Sequence, residues 1–553
     1  MGEFERVPDA RGADFAPYAG RWIACVGGRI ISQGGTPKQA LAAAKAARYK
    51  ETPEVFYVPT ENLFNFSPIF DRIRRWLPGD VPIYLVGGAV RNVLISRSVH
   101  DFDFVVAGDA LGVARKLANK INGAYFPLDV ERATARVIYI DEEYGRYIFD
   151  FAALRAEDLD ADLRDRDFTI NAMAVSVHDP QALLDPLGGA ADLHAKSLRA
   201  CSPAAFAKDP VRILRAVRMA AAFNLSIVPE TRGFLKDSVS ALANVSPERL
   251  RDEILNILGG PRPATSIRAL DILGVLEFVL PDILTLKGLA QSTPHTQDAW
   301  NHTLDTVSQL EGLLNVLGPI HDQSATGSLV IGLASMRLGR YRQQFDEMLK
   351  TDLVVDRGLR SLLFLSALYH DIGKPQSQQQ EENGRIRFIE HERIGANISA
   401  HRGRALHLSN GEIGWLKTIV LHHMRPTWLA RESKGPSSRA IYRFFRDTQK
   451  TGIAVCLISL ADLLATYGTT LPQDRWQRQL DVVRALMEAW WEKRDEKVDP
   501  PVLISGNDII KEFNIKPGPK IGEVLEALRE SQVERGIDCK EDALEFVKEY
   551  LEN

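Results

Sequence analysis

Two aspartates separated by one residue, Asp101 and Asp103, lie in a segment that alternates acidic and aromatic side chains. Side chains at positions i and i+2 of a strand point to the same face, so the two carboxylates converge. Paired carboxylates suit Mg²⁺, and two such ions can stabilise the attacking and leaving oxygens of a phosphoryl or nucleotidyl transfer. Asp150, in a later strand-like segment, is either a third carboxylate of this site or an ordinary strand-end acid. The pattern predicts a magnesium-dependent transfer site.

A glycine pair, Gly87 and Gly88, precedes the aspartates and follows an apolar run that is typical of a buried strand. A strand, two glycines and a helix expose backbone N–H groups at a positive helix end, where phosphate binds. Arg91, one turn into that helix, can add a bidentate phosphate contact. The glycines and the aspartates together predict a phosphate site beside the metal site.

A second group of potential metal ligands lies further along the chain, where nine of the 12 histidines fall between residues 295 and 423. Its ordered pattern resembles an HD-type metal phosphohydrolase, with adjacent His and Asp at the end of a helix. Imidazole and carboxylate together suit Mn, Ni, Co, Fe or Zn more than Mg²⁺. The predicted ligands of this site are His302, His370, Asp371, His391, His422 and Asp462.

One of these ligands is a choice between neighbours, His422 and His423. Adjacent residues on a helix diverge by about 100°, so both are not expected to ligate the same ion. The other four histidines of this region are expected to be structural: His295, His321, His401 and His407.

Basic and aromatic residues interleave between Arg425 and Lys450, with seven basic against two acidic side chains. Such a segment is either an RNA-binding face or a solvated helix whose aromatic side chains belong to the core. Taken as an RNA contact, it predicts roles for Arg439, Arg443 and Arg446.

The elements that position these residues predict an α+β protein: a small mixed-sheet head followed by a mostly helical body. Alternating apolar residues predict strands before about residue 185, and apolar residues at i, i+3 and i+4 predict helices from about residue 190 onward. One of these helices is predicted over 203–223. The predicted domains are a small α/β module (1–60), the head (61–190), a helical neck (191–290), an HD domain (291–465) and a helical tail (466–553).

Two further motifs, at residues 166–174 and 208–218, complete a resemblance. With the glycine and aspartate motifs, they make the chain similar to class II tRNA nucleotidyltransferases and bacterial poly(A) polymerases. That family has a polymerase-β-like head. The Gly-Pro-Lys-Ile-Gly segment at 518–522 also looks like the family's tail. The resemblance covers all but about the first 60 residues, and it implies that the protein is an enzyme acting on RNA 3′ ends.

The resemblance implies roles for individual residues. Gly88 and Arg91 would hold the triphosphate, beside Gly87, and Asp101 and Asp103 the Mg²⁺ ions. Four more residues would contact the nucleotide: Arg166, Asp209, Arg212 and Arg215. Asp209 and Arg212 lie three apart in the predicted helix, hence on one face, and would read the edge of the base. Lys208 stands where the family usually has an acid, so base selection is a point of difference.

Composition bounds the remaining possibilities. The chain has 553 residues, a formal net charge of −4 and four cysteines without a close pair, which disfavours a generally basic nucleic-acid binder, a disulfide framework and a cysteine zinc site. The sequence shows no signal peptide and no obvious membrane helix, so the expected location is the cytoplasm. No protein partner is inferred.

The predicted function is template-independent addition of CCA to tRNA 3′ ends from CTP and ATP, with a metal-dependent HD phosphohydrolase activity. One alternative is an enzyme that adds only A, including a poly(A) polymerase. Another is an HD phosphohydrolase that uses the head to bind RNA. The HD domain could also survive as a scaffold.

Overall fold

The computed structural model describes residues 18, 21–26, 29–35, 37–46, 53–58, 66–142, 145–318, 329–355, 357–432 and 435–552. The chain forms two compact units, residues 1–242 and 243–553. The boundary falls inside the segment predicted as the neck, 191–290. Strand and helix content confirm the predicted α+β class, with a mixed sheet early in the chain and helices dominating the rest.

The first unit begins with a three-stranded antiparallel sheet in the order β2-β1-β3. Its elements are β1 (Arg21–Val26), β2 (Arg29–Gly34), α1 (Pro37–Ala46) and β3 (Glu54–Val58). Trp22 and Ala24 of β1 pack against Ala40 and Ala44 of α1. The glycine pair predicted to form the β1–β2 turn, Gly27 and Gly28, lies outside the described residues.

A seven-stranded mixed sheet forms the head, in the order β10-β9-β4-β5-β8-β7-β6. Its elements are α2 (Pro68–Arg74), β4 (Ile83–Val86), α3 (Gly88–Leu94), β5 (Asp101–Val106), α4 (Ala110–Ile121), β6 (Ala124–Asp129), β7 (Thr134–Asp141), β8 (Gly145–Ala153), α5 (Leu159–Arg164), β9 (Ala174–Ser176) and β10 (Leu183–Leu184). Strands β5 and β8 run parallel and the other pairs are antiparallel. Phe102 and Phe104 are buried in the core beneath β5, while Asp101 and Asp103 face the other way.

Short helices complete the first unit: α6 (Gly189–His194), α7 (Ala205–Lys208), α8 (Arg212–Phe223) and α9 (Pro229–Ser238), with the paired strands β11 (Ser197–Leu198) and β12 (Ser226–Ile227). The continuous helix predicted over 203–223 is wrong. Its interruption is Asp209, whose backbone is extended with φ −145° and ψ 93°. Pro210 explains the break, because a proline disfavours helical backbone at the residue before it.

The second unit is almost wholly helical, as the sequence predicts. Its helices are α10 (Pro247–Gly259), α11 (Pro263–Ile272), α12 (Leu276–Val279), α13 (Ala299–Leu317), α14 (Leu329–Leu338), α15 (Arg342–Lys350), α16 (Leu359–Tyr369), α17 (Lys374–Ser377), α18 (His391–Ala405), α19 (Asn410–His422), α20 (Arg425–Leu429), α21 (Ser438–Thr448), α22 (Gly452–Tyr467), α23 (Gln473–Trp491), α24 (Arg494–Lys497), α25 (Gly506–Phe513), α26 (Pro519–Arg535) and α27 (Lys540–Glu552). Two short hairpins accompany them: β13 (Asp352–Val354) with β14 (Arg357–Gly358), and β15 (Gln378–Gln380) with β16 (Ile386–Phe388).

Two helical regions of this unit bear on the sites below. The run Ser438–Thr470, which includes α21 and α22, is long and apolar enough to cross a membrane by length and composition, but 89% of its most apolar window is buried inside the protein. It therefore has the character of a core helix. Helices α25, α26 and α27 share a small apolar core of their own, around Ile509, Val524 and Val547.

Candidate functional site

Carboxylates on neighbouring strands meet on the open face of the head sheet. Asp103 of β5 is in direct register with Asp150 of the parallel strand β8, and Asp101 lies two residues before Asp103 on the same face. Arg136 of β7 donates two hydrogen bonds to Asp150, from Nε at 2.8 Å and from Nη2 at 2.9 Å. Burial and the neighbouring Asp150 raise the pKa of Asp103. A buried carboxylate beside a second carboxylate is stabilised by a divalent cation, so the donor set fits Mg²⁺.

A cavity of about 490 Å³ opens over Asp103 and Asp150, and Asp101 is not among the residues that line it. Its volume is within the usual range for a small-molecule site. The polar side chains that line it are Asp103, Thr134, Asp150, Arg155, Asp162, Asp165, Arg166, Asp167, Asp209, Arg212 and Arg215, with Leu128 among the apolar ones. Cationic and acidic groups therefore face each other across one cavity, as binding a metal with a polyphosphate requires.

Four polar side chains form a continuous hydrogen-bonded chain that leads inward from the cavity wall. Arg215 contacts Asp167 Oδ2 through Nε at 3.0 Å and Nη2 at 2.9 Å. The other oxygen of Asp167 accepts from Asn171 Nδ2 at 3.0 Å, and Asn171 Oδ1 accepts from Arg91 Nη1 at 2.5 Å. Burial raises the pKa of Asp167, but Arg215 and the Asn171 hydrogen bond outweigh it, so the net pKa is lowered. The chain fixes the position of Arg215 at the cavity wall.

The glycine pair lies at the end of β4, beside the carboxylates. Gly87 has φ +68°, a region that favours glycine. A Cβ at Gly87 would lie 3.1 Å from Arg166 Nη1 and 4.0 Å from Asp103 Oδ2, so its absence keeps this approach clear. Arg91 does not line the cavity: it is buried, with its guanidinium 4.0 Å from the centre of the Phe223 ring. Burial lowers the pKa of Arg91 to about 10.

The break before Pro210 changes the predicted arrangement of the base-reading pair. Asp209 lies between two helices and Arg212 begins α8, so they do not share a helix face. Both nevertheless line the cavity, and Arg212 Nη1 is held by the carbonyl oxygens of Arg166 and Ala205 at 3.4 and 3.3 Å. Lys208 forms an ion pair with Asp165, another residue of the cavity wall.

A second cluster forms around Asp371, in the helical unit. Asp371 Oδ2 lies 3.4 Å from His302 Nε2 and 3.2 Å from His370 Nε2. Its Oδ1 lies 3.4 Å from His391 Nε2 and 3.8 Å from His423 Nε2. Asp462 closes the first side, with Oδ1 3.0 Å from His302 Nε2. One carboxylate thus faces two groups of ligands, one on each oxygen.

Backbone carbonyls orient the imidazoles of this cluster. Nδ1 of His370, His391 and His423 lies 2.7, 2.9 and 2.7 Å from the carbonyl oxygen three residues earlier. With Nδ1 as the donor, Nε2 carries the lone pair that a metal requires. His302 Nε2, His370 Nε2 and Asp371 Oδ2 are buried without a well-aligned hydrogen bond. Buried imidazole and carboxylate atoms that converge on one point without a well-aligned hydrogen bond fit a metal site.

The structure corrects one predicted ligand and adds two neighbours. His423, rather than His422, reaches the cluster, because His423 is the first residue after α19 and turns inward, whereas His422 is half-buried near Arg425. Lys374 Nζ lies 2.5 Å from Asp371 Oδ2 and is buried. His295, predicted to be only structural, contacts the His302 ring edge-on, with 4.7 Å between centroids. Lys374, three residues after Asp371, had a helical spacing that could have revealed it.

The remaining histidines lie elsewhere or outside the described residues. His407 pairs with Glu248 at 2.7 Å, and His401 lies on α18 without belonging to the cluster. His321 lies outside the described residues.

The arginines of the predicted RNA-binding face on α21 do not form an open basic surface. Glu530 of α26 accepts from Arg439 Nε at 2.7 Å and from Arg443 Nε and Nη2 at 2.5 and 2.8 Å. Arg446 donates to Glu526 at 2.8 Å. Tyr442, Phe444 and Phe445 are buried. These three arginines therefore hold an acidic helix of the same chain, and the three buried aromatic residues belong to the core, whereas Trp428 is 43% exposed.

The chain is similar in sequence to proteins of known activity. The sequence is 30% identical to the A-adding tRNA nucleotidyltransferase of Deinococcus radiodurans, over 85% of this chain and 95% of that protein. It is also 30% identical to the CC-adding tRNA nucleotidyltransferase of Geobacter sulfurreducens, over 85% of this chain and 92% of that protein. The chain belongs to the tRNA nucleotidyltransferase family.

Family models match most of this chain in segments. They describe a poly A polymerase head domain (83–199), an RNA- and SrmB-binding site of polymerase A (224–286), an HD domain (335–467) and a tRNA nucleotidyltransferase domain 2 (484–547). Residues 15–61 match a family of unknown function. A solved CCA-adding enzyme in complex with CTP has the same fold, with a TM-score of 0.55 at 22% identity over 88% of this chain and 96% of that one.

The two predicted sites thus lie within the matched head domain and the matched HD domain. The head model spans Asp101, Asp103 and Asp150, and the HD model spans His370, Asp371 and Asp462. His302 precedes the matched HD segment, although it lies within 3.4 Å of both HD-domain carboxylates. Divalent metal dependence follows from the two domain types and the donor sets.

Proposed function

We propose that the head cavity transfers nucleotides from CTP and ATP to the 3′ end of tRNA, without a template, to build the CCA end. The observation that carries this proposal is the in-register pair Asp103 and Asp150 at the floor of a cavity lined by Arg166, Arg212 and Arg215. Relatives named as A-adding and CC-adding tRNA nucleotidyltransferases support tRNA as the substrate and the two nucleotides as its donors.

Asp101 and Asp103 would hold Mg²⁺, with Asp150 as the third carboxylate. Bound Mg²⁺ would lower the pKa of the attacking 3′ hydroxyl and stabilise charge on the leaving pyrophosphate. Arg136 fixes the Asp150 carboxylate in place through its two hydrogen bonds. Burial and the neighbouring Asp150 raise the pKa of Asp103, and a bound divalent cation would offset the repulsion between the two carboxylates.

The arginines would bind the triphosphate and the base. Arg215, held by Asp167, presents a fixed cation to the phosphates, and Arg166 lies beside Gly87 where a phosphate can approach the backbone. Gly88 begins α3 directly after Gly87. Arg91 would act through Asn171 and Asp167, from its buried position.

Asp209 and Arg212 would read the base. They do so as two groups on one cavity wall rather than on one helix face. An acceptor and a donor fixed by backbone contacts can discriminate bases by hydrogen bonding, because a mismatch leaves buried polar groups unpaired.

A second candidate is an enzyme that adds only A. Its support is the Deinococcus radiodurans relative, whose name specifies A addition and whose length is matched to 95%. The deciding experiment uses tRNAs that end before, within and after the two cytidines, each with one labelled nucleotide. Addition of C to the shortest tRNA together with addition of A to the tRNA that ends in CC supports the CCA assignment. Addition of A alone, and only after CC, supports the second candidate.

We propose a further activity for the cluster around Asp371, metal-dependent hydrolysis of phosphoesters. Two groups of imidazoles on the two oxygens of Asp371 carry this proposal, since such an arrangement suits two adjacent transition-metal ions. Mn, Ni and Co are the proposed metals. The test is hydrolysis of one P–O bond of a 2′,3′-cyclic nucleotide, which gives the nucleoside 2′- or 3′-monophosphate, with each metal in turn. No hydrolysis with any of them, or with Mg²⁺, would leave this domain as a scaffold.

The remaining properties are also proposals. The four cysteines form no disulfide, and this, together with tRNA as the proposed substrate, supports a cytoplasmic location. The five predicted domain ranges remain the proposed organisation.

A further inference from the structure

One row of side chains crosses the open face of the head sheet, from its centre to its edge. Asp103 is in register with Asp150, Asp150 with Arg136 of β7, and Arg136 with Phe126 of β6. Residues in direct register point to the same face of a sheet. Phe126 therefore lies on the same face as the carboxylates, at the end of their row, on the strand that forms the sheet edge.

Phe126 and its neighbour on this face are unusually exposed for apolar residues of a sheet. Phe126 is 46% exposed and Leu128, two residues on, is 54% exposed. Leu128 also lines the cavity. The opposite face of β6 is occupied: Tyr125 packs against the head core and receives the Arg115 guanidinium 4.6 Å from its ring centre. The core of the described head therefore does not use Phe126, and an aromatic surface continues the cavity outward.

An RNA chain that reacts in this cavity needs a path along this face. Its 3′ hydroxyl must reach Asp103 and Asp150, and the preceding nucleotides must leave the cavity. Phe126 lies two strand spacings from Asp150, or about 10 Å. At ~3.4 Å per stacked nucleotide, that distance corresponds to about three nucleotides. Arg136 and Arg155 lie along the same side of the sheet and the cavity, where phosphates of such a strand would pass.

We propose that Phe126 and Leu128 form a stacking platform for the unpaired nucleotides next to the reacting 3′ end of the RNA. The proposal rests on the proposed transferase function and adds a binding site outside the nucleotide cavity. Every base has a π face, so an aromatic ring binds a single strand without depending on sequence. A single strand whose last nucleotides change as the reaction proceeds needs a contact of this kind.

The test compares the full-length protein with three substitutions of one residue: Phe126→Ala, Phe126→Leu and Phe126→Trp. Removing a stacking ring costs about 1–3 kcal/mol per base, which corresponds to a rise of roughly 5- to 150-fold in KM for RNA. We expect that rise in Phe126→Ala and Phe126→Leu and near wild-type values in Phe126→Trp. KM for the nucleotide and kcat should stay within about twofold, because the contact is the same in the ground and transition states.

A matched control is Ile140→Ala. Ile140 is 73% exposed on the same face of β7, four residues from Arg136, and so about 13 Å along the strand from the row. Its substitution should leave every constant unchanged. Circular dichroism and the thermal midpoint of each variant report whether it folds, and an exposed side chain should tolerate all three changes.

The second measurement varies the RNA. Hairpins with one, two, three or four unpaired 3′ nucleotides are given to wild type and Phe126→Ala. The penalty should be absent with one unpaired nucleotide and appear as the strand reaches about three. A penalty independent of overhang length would overturn the platform.

Other outcomes also decide against the proposal. A rise confined to KM for the nucleotide would assign Phe126 to the donor base. A wild-type dimer that dissociates in Phe126→Ala, measured by sedimentation, would assign it to a second copy of the chain. If wild type adds nucleotides and Phe126→Ala equals it, the platform alone is wrong. If wild type adds none to any RNA, the proposed function itself fails.

Discussion

Truncating Glu530 tests whether the arginines of α21 serve the protein's own structure or bind RNA. Glu530 has a side-chain exposure of 9%, while Arg439 and Arg443 are 46% and 45% exposed. A fully buried pair loses about 3–5 kcal/mol when one partner is removed, because the other charge stays buried and unpaired. These arginines can hydrate instead, and exposed pairs contribute only about 0.2–1 kcal/mol each. With two arginines sharing one shielded carboxylate, we expect Glu530→Ala to weaken the attachment of α26 by about 1–2 kcal/mol.

Amide hydrogen exchange of residues 519–535 is the suitable assay, because a chain with several domains does not unfold in one transition. A loss of 1–2 kcal/mol should speed exchange there by roughly 5- to 30-fold. Glu534→Ala, an exposed residue of the same helix, is the matched control and should change nothing. Arg443→Ala should repeat the Glu530→Ala effect and leave KM for RNA within about twofold.

The same attachment should depend on pH and salt. The hydrogen bonds from Arg443, followed by Arg439, lower the pKa of Glu530. Because the pKa of Glu530 is lower in the folded state, the stabilisation by its ion pairs is complete above the pKa of the unfolded chain, about 4.3. That stabilisation is lost as the pH falls through the pKa of the folded state. The exchange rates of residues 519–535 in wild type and in Glu530→Ala should therefore converge at acid pH. They should also converge in 1 M salt, where the screening length is about 3 Å. A tenfold rise in KM for RNA in Arg443→Ala, with exchange unchanged, would refute this reasoning.

Three further outcomes are expected. Asp103→Ala should lower nucleotide addition at least about a thousandfold and leave hydrolysis of a 2′,3′-cyclic nucleotide unchanged, and retained addition would contradict the metal role. Elemental analysis should find one bound Mn ion in His423→Ala instead of two, and none in Asp371→Ala. The matched control His422→Ala should keep two ions. Loss of metal in His422→Ala would reverse the ligand assignment. Asp209→Ala should admit UTP or GTP onto a tRNA ending at its discriminator base, and unchanged CTP and ATP preference would remove Asp209 from base selection.

Local spacing in the sequence was sufficient for the positions of Asp101 and Asp103. Two residues apart in a strand, they must share a face, whatever the rest of the fold does. The order of His302, His370, Asp371 and Asp462 was similarly informative, because few other sites combine these ligands in this way.

Two features that the sequence-based prediction missed had local signals in the sequence. Pro210 already disfavours helical backbone at Asp209, so the broken helix could have been predicted. Lys374 lies three residues after Asp371, which is one turn at a helical spacing. The choice between His422 and His423, by contrast, depends on how α19 is rotated about its own axis relative to α18. A difference of one residue along a helix turns the side chain by about 100°.

Contacts between distant segments were decided only by the tertiary structure. Asp150 meets Asp103 because β5 and β8 pair in parallel, although three elements, α4, β6 and β7, separate them in the chain. Glu530 neutralises Arg443 from 87 residues away. The sequence determines which face of its own strand or helix a residue occupies, because backbone periodicity is local. Which other face it meets depends on strand register and helix packing, and these depend on the whole core.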